Sequence, residues 1–446
     1  MSLFLSFLRN FCLLFLFTSF AFAQQKPNII MILVDDMGWG EVGVYGSRYC
    51  QTPNLDNLAK EGLRFTSFYA NSTVCSPTRA ALMTGRYPDL VGVPGVIRGN
   101  KENSWGYFSP QATTLPQVLK TAGYQTAMVG KWHLGLEPEN HPNRRGFTHF
   151  HGFLEDMMDD YYTHLREGKD WMRLNGQVVH PQGHATDLFT QWAVDYLNTQ
   201  KKKSQPFFLY LAYNAPHFPV QPPQEWLEKV KKRNPNLSEK RAKLTALIEH
   251  LDDSIGKVLE TLRQNGQAEN TLIVFSSDNG GLLSDEADNA YWRGGKQTMY
   301  EGGIRVPTIA VWKNKIKANT QTNYQALTMD LFPTFCEVAG AKVLSPIEGS
   351  SFLSVLMGSP KITPERATCW VRREGGAYGG QEYYALREGN WKILQNTPFE
   401  PFQLFDMSKD SLETTDVKTA NKEIYEALGK KLRRHIQKAG TVNWQK

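Results

Sequence analysis

The sequence predicts an α/β protein with a doubly wound, mostly parallel sheet and a smaller C-terminal antiparallel sheet that carries one helix. Residues 28–34 form a nearly continuous apolar run with β-branched side chains, which is typical of a strand buried on both faces of a parallel sheet. Residues 244–262 place apolar side chains three and four positions apart, which predicts a long amphipathic helix that ends near Asn265 and Gly266. Because such strands and helices alternate along the chain, we expect helices on both faces of the sheet.

The other strands of this sheet are predicted from apolar runs of the same kind. They are expected at Thr126–Val129, Phe207–Tyr213 and Leu272–Phe275, with Val306–Trp312 joining them. A short helix is predicted over Thr78–Thr84, with Pro77 at its start, where the missing backbone N–H has little cost. Residues 219–236 are rich in Pro, Lys and Gln, and we interpret them as a surface excursion of the large domain.

The pattern changes from about Ser345 onward. Short strands separated by Gly and Asn turns are predicted there, followed by a terminal helix that contains Ile424, Leu428 and Leu432. The strands are expected at Thr368–Arg372, Tyr383–Arg387, Trp391–Leu394 and Gln403–Phe405. The chain is therefore predicted to divide into an N-terminal segment at 1–23, a large domain at 24–344 and an α+β subdomain at 345–446.

The N-terminal segment has the features of a secretory signal peptide. Arg9 precedes the apolar run Phe11–Phe20, and Ala21, Phe22 and Ala23 offer a small-residue cleavage site. The run is too short to cross a bilayer, and no other stretch is long and apolar enough to do so. We expect an exported protein, periplasmic or secreted, without a membrane anchor. A buried or anchoring N-terminal helix is the alternative.

The composition fits a large globular protein and gives no support for a nucleic acid partner. With 446 residues, 41% of them hydrophobic, the chain can bury a large core. The 50 Lys and Arg residues against 44 Asp and Glu give a formal net charge of +6, a weak preference for anionic partners. No basic run interleaved with aromatic residues is present, so no nucleic acid binding is expected.

Polar side chains come after four of the predicted strands. Because ligands of doubly wound sheets bind beyond the carboxyl ends of the strands, we expect these side chains to meet at one edge. Two of them are imidazoles, which can pass a proton in either direction near neutral pH. The side chains are Asp35 and Asp36 after the first strand, Lys131 and His133 after the second, His217 after the third, and Asp278 and Asn279 after the fourth.

The acidic members of this group suggest a metal site. Asp35, Asp36, Asp278 and Asn279 offer only oxygen ligands, which suit a hard divalent cation such as Ca²⁺ or Mg²⁺ and are wrong for zinc. Three carboxylates grouped without a cation would repel one another and resist ionising together. The alternative for Asp35 and Asp36 is a turn or a helix cap at the strand end.

Four strings of the chain resemble a known enzyme family. Cys75 opens Cys-Ser-Pro-Thr-Arg, which ends at Arg79 and continues as Ala-Ala-Leu-Met-Thr-Gly-Arg. The other strings are Gly130–Gly135, Gly294–Thr298 and Tyr300–Pro307. Together they resemble the formylglycine-dependent sulfatases of the alkaline phosphatase superfamily, in wording closest to the arylsulfatase and N-acetylgalactosamine-type members. The resemblance covers about residues 27–340 and implies an alkaline-phosphatase-like fold.

The resemblance implies a post-translational nucleophile and a bound cation. Residue 75 would be oxidised to formylglycine by a maturation enzyme of the host. Ca²⁺, with Mg²⁺ as the alternative, would be held by Asp35, Asp36, Asp278 and Asn279 together with residue 75. The implied catalytic residues are Cys75, Arg79, Lys131, His133, His217 and Lys296.

The implied reaction is the hydrolysis of sulfate monoesters through a covalent sulfo-enzyme intermediate. One hydroxyl of the hydrated aldehyde would attack sulfur, while His217 and Lys296 protonate the leaving oxygen. His133 would then deprotonate the second hydroxyl, so that the aldehyde re-forms and sulfate leaves. An ordinary serine has no second hydroxyl and could not drive this release.

The expected substrate is a sulfated carbohydrate of the galactose or N-acetylgalactosamine type. Residues 154–160 are acidic and Met-rich where many family members place Ser or His, so the substrate contacts stay open. Candidate sugar contacts, each with packing as the alternative, are Arg98, Trp105, Trp292 and Arg293. Two other functions remain: a phosphonate monoester hydrolase or phosphodiesterase with the same nucleophile, and a non-catalytic sulfated-glycan-binding protein.

The cysteines form no disulfide scaffold and no zinc pattern. After the N-terminal segment, Cys50, Cys75, Cys336 and Cys369 remain. If Cys75 is converted, the other three allow at most one intramolecular bridge, and the sequence does not choose the pair.

Overall fold

The computed structural model describes residues 25–359, 366–374 and 381–445. The predicted signal peptide, residues 1–23, lies outside the described residues. The strands are β1 Asn28–Val34, β2 Leu63–Phe65, β3 Phe68–Tyr69, β4 Gln125–Lys131, β5 His149–Phe153, β6 Leu165–Arg166, β7 Lys169–Asp170, β8 Met172–Leu174, β9 Gln177–Val178, β10 Phe207–Ala212, β11 Thr271–Ser277, β12 Thr308–Trp312, β13 Thr320–Thr322, β14 Ala326–Leu327, β15 Thr368–Arg373, β16 Glu382–Glu388, β17 Trp391–Gln395 and β18 Gln403–Asp406. The α-helices are α1 Pro53–Glu61, α2 Cys75–Thr84, α3 Leu115–Thr121, α4 Ala185–Gln200, α5 Gln224–Arg233, α6 Glu239–Gln264, α7 Glu301–Ile304, α8 Leu331–Ala339, α9 Leu353–Leu356 and α10 Lys422–Ala439.

The centre of the molecule is a ten-stranded sheet with the order β13-β2-β12-β11-β1-β10-β4-β5-β8-β9. The five central strands, from β11 to β5, run parallel to one another. β12 and β8 pair antiparallel on either side of them. The predicted doubly wound, mostly parallel sheet is therefore confirmed. The predicted strand at 306–312 does join the sheet, but it begins at Thr308 and runs antiparallel.

The sheet is buried on both faces, which explains the continuous apolar sequence of β1. Ile29, Met31 and Leu33 belong to one hydrophobic cluster, which includes residues of α2, α3 and α8. Ile30 and Ile32 belong to a second cluster on the opposite face, formed with α1, α4 and α6. Since successive side chains of a strand point to opposite faces, a strand covered on both sides has no position left for polar residues.

Several element boundaries differ from the sequence prediction. α2 begins at Cys75 rather than at Thr78, so the cysteine is the first residue of the helix. β4 continues through Lys131, whereas the prediction ended it at Val129. The predicted surface excursion at 219–236 contains α5, which packs Leu227 and Val230 against Ala242 and Ala246 of α6.

The C-terminal part forms the predicted small antiparallel sheet with one helix. Its strands are arranged in the order β15-β16-β17-β18, each antiparallel to the next. Leu428 and Leu432 of α10 pack in a cluster with Trp370 and Ile393 of this sheet. The same cluster includes Tyr69, from β3, so the two parts share one core.

A buried ion pair network also joins the C-terminal sheet to the rest of the molecule. The Lys392 ammonium, on β17, lies 2.9 Å from a carboxylate oxygen of Glu301 and 2.6 Å from one of Glu413. Arg305 donates a 2.9 Å hydrogen bond to the other Glu301 oxygen. Because the lysine and both glutamate side chains are fully buried, the two parts of the chain are tied together electrostatically as well as by apolar contacts.

Cys50, Cys75, Cys336 and Cys369 are all buried and unbridged. Among the described residues, no helix combines the length and the apolar character that crossing a membrane requires.

Candidate active site

The acidic residues predicted from the strand ends lie side by side in the structure. β1 and β11 are parallel neighbours, with Val34 opposite Ser277, so the residues just beyond them leave the sheet at the same edge. Carboxylate oxygens of Asp35, Asp36 and Asp278 lie within 4.8 Å of one another. All three side chains are buried.

Each of these carboxylates lies beside a buried cation, and Asp35 lies beside two, with Arg79 Nη2 3.6 Å from its Oδ1. The Arg79 guanidinium donates to one oxygen of Asp278, with Nη2 at 2.7 Å and Nε at 3.1 Å. The Lys131 ammonium donates to Asp35, and the Lys296 ammonium lies 2.7 Å from Asp36. The three predicted cationic residues are therefore all brought to the acidic cluster.

Two buried oxygens of the cluster have no hydrogen-bond donor among the described residues. They are Oδ1 of Asp35 and Oδ1 of Asn279. The Asn279 amide is oriented by its nitrogen, which donates to Asp36 at 2.8 Å and to the Gly280 carbonyl at 3.0 Å. A buried acceptor without a donor is costly, and a hard cation would satisfy both oxygens. The residues present therefore fit the predicted divalent cation.

The pKa values of Asp35 and Asp278 are shifted in opposite directions. Burial and the neighbouring Asp35 raise the pKa of Asp278 to about 7. Burial acts in the same direction on Asp35, but Lys131, His217 and Arg79 outweigh it and hold the pKa of Asp35 well below its usual range. Asp278 is thus the carboxylate of this pair whose ionisation a bound divalent cation would favour.

Cys75 lies at the start of α2, next to this cluster. Its sulfur lies within 4.8 Å of ligand atoms of Asp35 and His217. Burial raises the pKa of the thiol to about 12, although Lys131 and Lys296 act against the shift. The thiol is therefore protonated at neutral pH, and a protonated thiol is a poor nucleophile.

The two predicted imidazoles lie on the walls of the cleft above Cys75. His133 donates from Nε2 to the Ile97 carbonyl at 2.9 Å, and its Nδ1 has no partner in the part of the chain that the structure describes. Burial, followed by the charge of Lys131, holds the pKa of His133 well below its usual range. The ring is therefore neutral, with a free lone pair on Nδ1 that can accept a proton.

In His217 the other ring nitrogen, Nδ1, contacts a backbone carbonyl. Its Nδ1 donates to the Phe218 carbonyl at 2.6 Å, and its Nε2 lies 3.6 Å from a carboxylate oxygen of Asp36. Burial, followed by the charge of Lys296, lowers the pKa of His217. Lys296 also lines the cleft, and although burial acts to lower its pKa, Asp36 and the other anionic groups outweigh burial and raise the pKa far above the usual range. Lys296 thus remains protonated beside His217.

The cleft has a volume of about 310 Å³, and more charged residues line it than the sequence predicted. Those that the sequence analysis did not assign to the site are Asp156, Arg166, Arg372 and Glu374. Arg372 and Glu374 come from β15 and the residues just after it, so the C-terminal sheet contributes directly to the cleft. The only sequence signal for any of them was the unusual acidic stretch at 154–160, which contains Asp156.

These residues form an alternating chain of cations and carboxylates along the cleft wall. Arg166 Nε lies 2.8 Å from Asp156, whose second oxygen lies 3.9 Å from Arg98 Nε. Arg98 Nη1 in turn lies 3.2 Å from Glu374, and Arg372 Nε lies 3.6 Å from the other oxygen of Glu374. Such a wall presents both anion-binding and hydroxyl-binding groups to a ligand.

Of the four candidate sugar contacts, only Arg98 lines this cleft. Trp292 is buried, with the Arg305 guanidinium 3.9 Å above its ring. Arg293 stacks on Tyr300 at 3.9 Å. Trp105 stacks on Trp444, with ring centroids 5.3 Å apart. The contacts of Trp292 and Arg293 indicate packing roles, and Trp105 lies outside this cleft.

Comparisons with known proteins find similar sequences and structures over most of the chain. The sequence profile of the Sulfatase family matches residues 27–341, and the profile described as N-sulphoglucosamine sulphohydrolase, C-terminal, matches residues 291–440. N-acetylgalactosamine-6-sulfatase of Rattus norvegicus is 36% identical over 364 residues, which cover 75% of this chain and 66% of that protein. Arylsulfatase A of Homo sapiens is 30% identical, with coverage of 91% of this chain and 86% of the human protein.

A solved structure is also similar over nearly the whole chain. The crystal structure of Ps i-CgsB in complex with k-i-k-neocarrahexaose superposes with a TM-score of 0.86 and 32% sequence identity, covering 94% of this chain and 95% of that one. By contrast, this chain spans about two thirds of the length of the rat N-acetylgalactosamine-6-sulfatase.

Proposed function

This chain belongs to the sulfatase family, and we propose that it hydrolyses sulfate monoesters on carbohydrate of the galactose or N-acetylgalactosamine type. The proposed nucleophile is a formylglycine made from Cys75, and the proposed metal is Ca²⁺, with Mg²⁺ as the alternative. The reaction would pass through a covalent sulfo-enzyme intermediate.

The observation that carries the proposal is the environment of Cys75. Two lysines and two imidazoles surround Cys75, whose raised pKa makes the unmodified thiol a poor nucleophile. A site with this many proton-transfer and anion-binding groups requires a stronger nucleophile than the thiol provides. Oxidation of the side chain to an aldehyde, which hydrates readily, supplies two hydroxyl groups at the same position.

The proposed cation ligands are Asp35, Asp36, Asp278 and Asn279, together with residue 75. The two oxygens without a donor among the described residues, on Asp35 and Asn279, support this assignment. When bound, such a cation polarises oxygens of the sulfate group and lowers the pKa of a coordinated hydroxyl.

The cationic side chains hold the anionic group of the substrate. Arg79 is engaged by Asp278, so it fixes the carboxylate cluster rather than the substrate directly. Lys131 and Lys296 each have one carboxylate partner, and as ammonium groups with three N–H donors they can also bind sulfate oxygens. Fixed cations in a buried site stabilise the charge that develops on the transferring group.

Three proton transfers complete the reaction. One hydroxyl of the hydrated residue 75 gives its proton to a carboxylate of the adjacent cluster and bonds to sulfur, the bond from sulfur to the sugar oxygen breaks, and His217 or Lys296 delivers a proton to that oxygen. His133 Nδ1 then takes the proton of the second hydroxyl, the C=O bond forms, and the C–O bond to sulfate breaks. The free lone pair on His133 suits this role, as does the protonated state of Lys296.

The substrate class rests on the relatives and on the charges of the cleft. The relatives include N-acetylgalactosamine-6-sulfatase, and Ps i-CgsB was solved with a six-sugar carrageenan ligand. Asp156 and Glu374 can accept hydrogen bonds from sugar hydroxyls, while Arg98 and Arg166 suit anionic substituents. Export to the periplasm or the exterior, where sulfated polysaccharide is available, is part of the same proposal, as is a maturation enzyme in the host.

The proposal is tested on residue 75 itself. The tryptic peptide that contains it should be lighter by H₂S and heavier by one oxygen than the thiol form when the protein is made with a maturation enzyme. This form should release sulfate from sulfated galactosides, and the thiol form should not. Equal activity of both forms would reject the nucleophile.

The rival functions are separated by substrate. A phosphonate monoester hydrolase or phosphodiesterase would turn over phosphonate or phosphate esters faster than the matching sulfate esters. A non-catalytic glycan-binding protein would bind sulfated oligosaccharides with a Cys75 thiol and release no sulfate.

A further inference from the structure

A second cleft adjoins the one above Cys75. It has a volume of about 480 Å³, larger than the 310 Å³ of the active-site cleft. Arg98 lines both, so the two clefts meet at its side chain. Nothing in the proposed reaction requires this second space, because the sulfate group, the nucleophile and the proton-transfer groups all belong to the first cleft.

The second cleft is built from a loop of the large domain at residues 97–107, from Leu136 and Glu137, and from the end of the chain. Lys101, Tyr107 and Glu137 line it from the large domain. Trp444, in the residues after α10, lines it from the other side.

The chain end is held against the loop by specific contacts. The half-buried Trp444 ring stacks on Trp105, with centroids 5.3 Å apart and planes inclined by 18°. A side chain at Gly92 would approach the Asn443 carbonyl to 2.7 Å, and Gly92 has a φ of +82°. The absence of a side chain there allows the chain end to pack closely. Trp444 is therefore a fixed part of the wall.

The lining of the second cleft has the character of a sugar-binding site for an anionic glycan. An aromatic ring supplies a broad apolar face, Tyr107 supplies a hydroxyl group, and exposed Lys101 supplies a cation. Arg98 stands at the junction, with its guanidinium held by Glu374 at 3.2 Å and by the Asn103 carbonyl at 3.0 Å. The charged side chains of the lining are Arg98, which is paired with Glu374, together with Lys101 and Glu137.

We infer that the second cleft binds the sugar residues adjacent to the sulfated sugar in the same glycan chain. This inference rests on the proposed function and deepens it, since it makes a sulfated oligosaccharide or polysaccharide, not a monosaccharide, the preferred substrate. Because Arg98 lines both clefts, a glycan whose sulfated sugar occupies the first cleft can extend its neighbouring sugar into the second. The exposed ammonium group of Lys101 in the second cleft suits a glycan that carries further sulfate groups.

The test compares substrates of different length. Sulfate release is measured on a sulfated galactose monosaccharide and on a carrageenan hexasaccharide, and the ratio of the two kcat/KM values is the readout. The wild-type enzyme should favour the hexasaccharide. Trp444→Ala and Lys101→Ala should each reduce the ratio about tenfold, because only the longer substrate reaches the second cleft. Matched controls are Phe399→Ala, which removes an aromatic ring 84% exposed elsewhere, and Lys342→Ala at another lysine outside both clefts.

A wild-type enzyme with equal kcat/KM on both substrates would overturn the inference, as would variants that leave the ratio unchanged. Binding of the hexasaccharide to Cys75→Ala protein, measured by calorimetry with and without Trp444→Ala, separates this inference from the proposed function. If the wild-type protein released no sulfate but binding still depended on Trp444, the proposed function would fail and the second cleft would stand. If sulfate were released but binding did not depend on Trp444, the reverse would hold.

Discussion

The Cys75 side chain combines a central position with low reactivity. It lies beside the carboxylate cluster and the two imidazoles, yet burial raises the pKa of its thiol to about 12. Since only the thiolate is a good nucleophile, this raised pKa supports the proposed conversion of residue 75 to formylglycine. An aldehyde hydrate differs from a serine by one hydroxyl, and in the proposed mechanism that hydroxyl would allow the sulfo-enzyme to break down.

Replacing Cys75 by serine tests this difference. Cys75→Ser should lose roughly 10⁴-fold in turnover, the scale of other nucleophile deletions. If serine attacks sulfur but cannot release it, the variant should carry a sulfate group that intact-mass measurement detects, and Cys75→Ala should not. Near-normal turnover in Cys75→Ser would contradict the assignment.

His133 gives a prediction for the pH dependence of the reaction. Burial and Lys131 lower its pKa, so the neutral, proton-accepting form persists as the pH falls below about 6.5, the usual value for histidine. As protonation of His133 would stop sulfate release, the acid limb of kcat should lie well below pH 6.5. His133→Ala should reduce kcat by about 10²-fold or more. A limb centred at the ordinary histidine pKa would show that another group controls the step.

The sequence predicted the residues around Cys75 better than the residues of the cleft wall. Asp35, Asp278 and His217 come after predictable strands, and parallel strands bring the residues beyond their carboxyl ends to one edge of the sheet. Arg166 and Arg372, in contrast, belong to short elements far apart in the chain, and only the packing of the C-terminal sheet brings Arg372 to the cleft. No local pattern marks such residues, because an arginine on an exposed-looking strand is usually a surface residue.

At the scale of elements, the long buried strands and α6 were predictable, and the short edge elements were not. β1 and β11 are apolar over most of their length because helices cover both faces, and α6 shows its apolar stripe over many turns. β5 alternates histidine with phenylalanine and glycine over five residues, too few to distinguish a strand from a polar loop. The orientation of β12 depends on its connection and not on its composition, so its sequence could not reveal that it runs antiparallel.

The contact between β17 and the start of α7 gives a stability prediction. Lys392 is the shared cation of Glu301 and Glu413, and all three groups are buried. Lys392→Met keeps much of the volume but removes the cation beside Glu413 and leaves Glu301 with Arg305 alone, which should lower the free energy of unfolding by about 3 kcal/mol. Urea denaturation at neutral pH measures the loss.

A control variant isolates the buried pairing from a general effect of removing a lysine. Lys409→Met removes an 84% exposed ammonium group and should change the free energy of unfolding very little. If Lys392→Met were as stable as this control, the network would not hold the two parts of the chain together.

At the scale of the whole molecule, the metal site should couple to folding. A ligand that binds only the folded protein stabilises it by about 2.7 kcal/mol at a hundredfold excess over its Kd. Adding Ca²⁺ to chelator-treated protein should therefore raise the melting temperature, and Asp278→Asn should weaken this response. Calorimetric scans with Ca²⁺ and with Mg²⁺ measure it without reference to activity. A melting temperature indifferent to both ions would contradict the assignment of the oxygen ligands.

The division of the chain at 344 remains a prediction. Side chains from both sides of this boundary pack against one another. Tyr69, Leu327 and Met329 of the large domain are buried in the same cluster as Trp370 and Leu432 of the C-terminal part. Phe352, after the predicted boundary, packs with Phe65 and Phe68, at ring centroid distances of 5.5 and 6.2 Å. Residues on both sides of the boundary therefore depend on one another for burial.

A fragment that ends at 344 should consequently fail to fold alone. Without the C-terminal part it would expose a large apolar surface and leave Glu301 beside Arg305 but without Lys392, a combination that favours aggregation. Expression of residues 25–344, compared with 25–446, tests this by gel filtration and near-ultraviolet circular dichroism. A soluble monomer with a native-like spectrum would show that the large domain folds independently. In that case the C-terminal sheet would serve chiefly to bring Arg372 and Glu374 to the cleft, and adding it as a separate chain should restore their contribution to substrate binding.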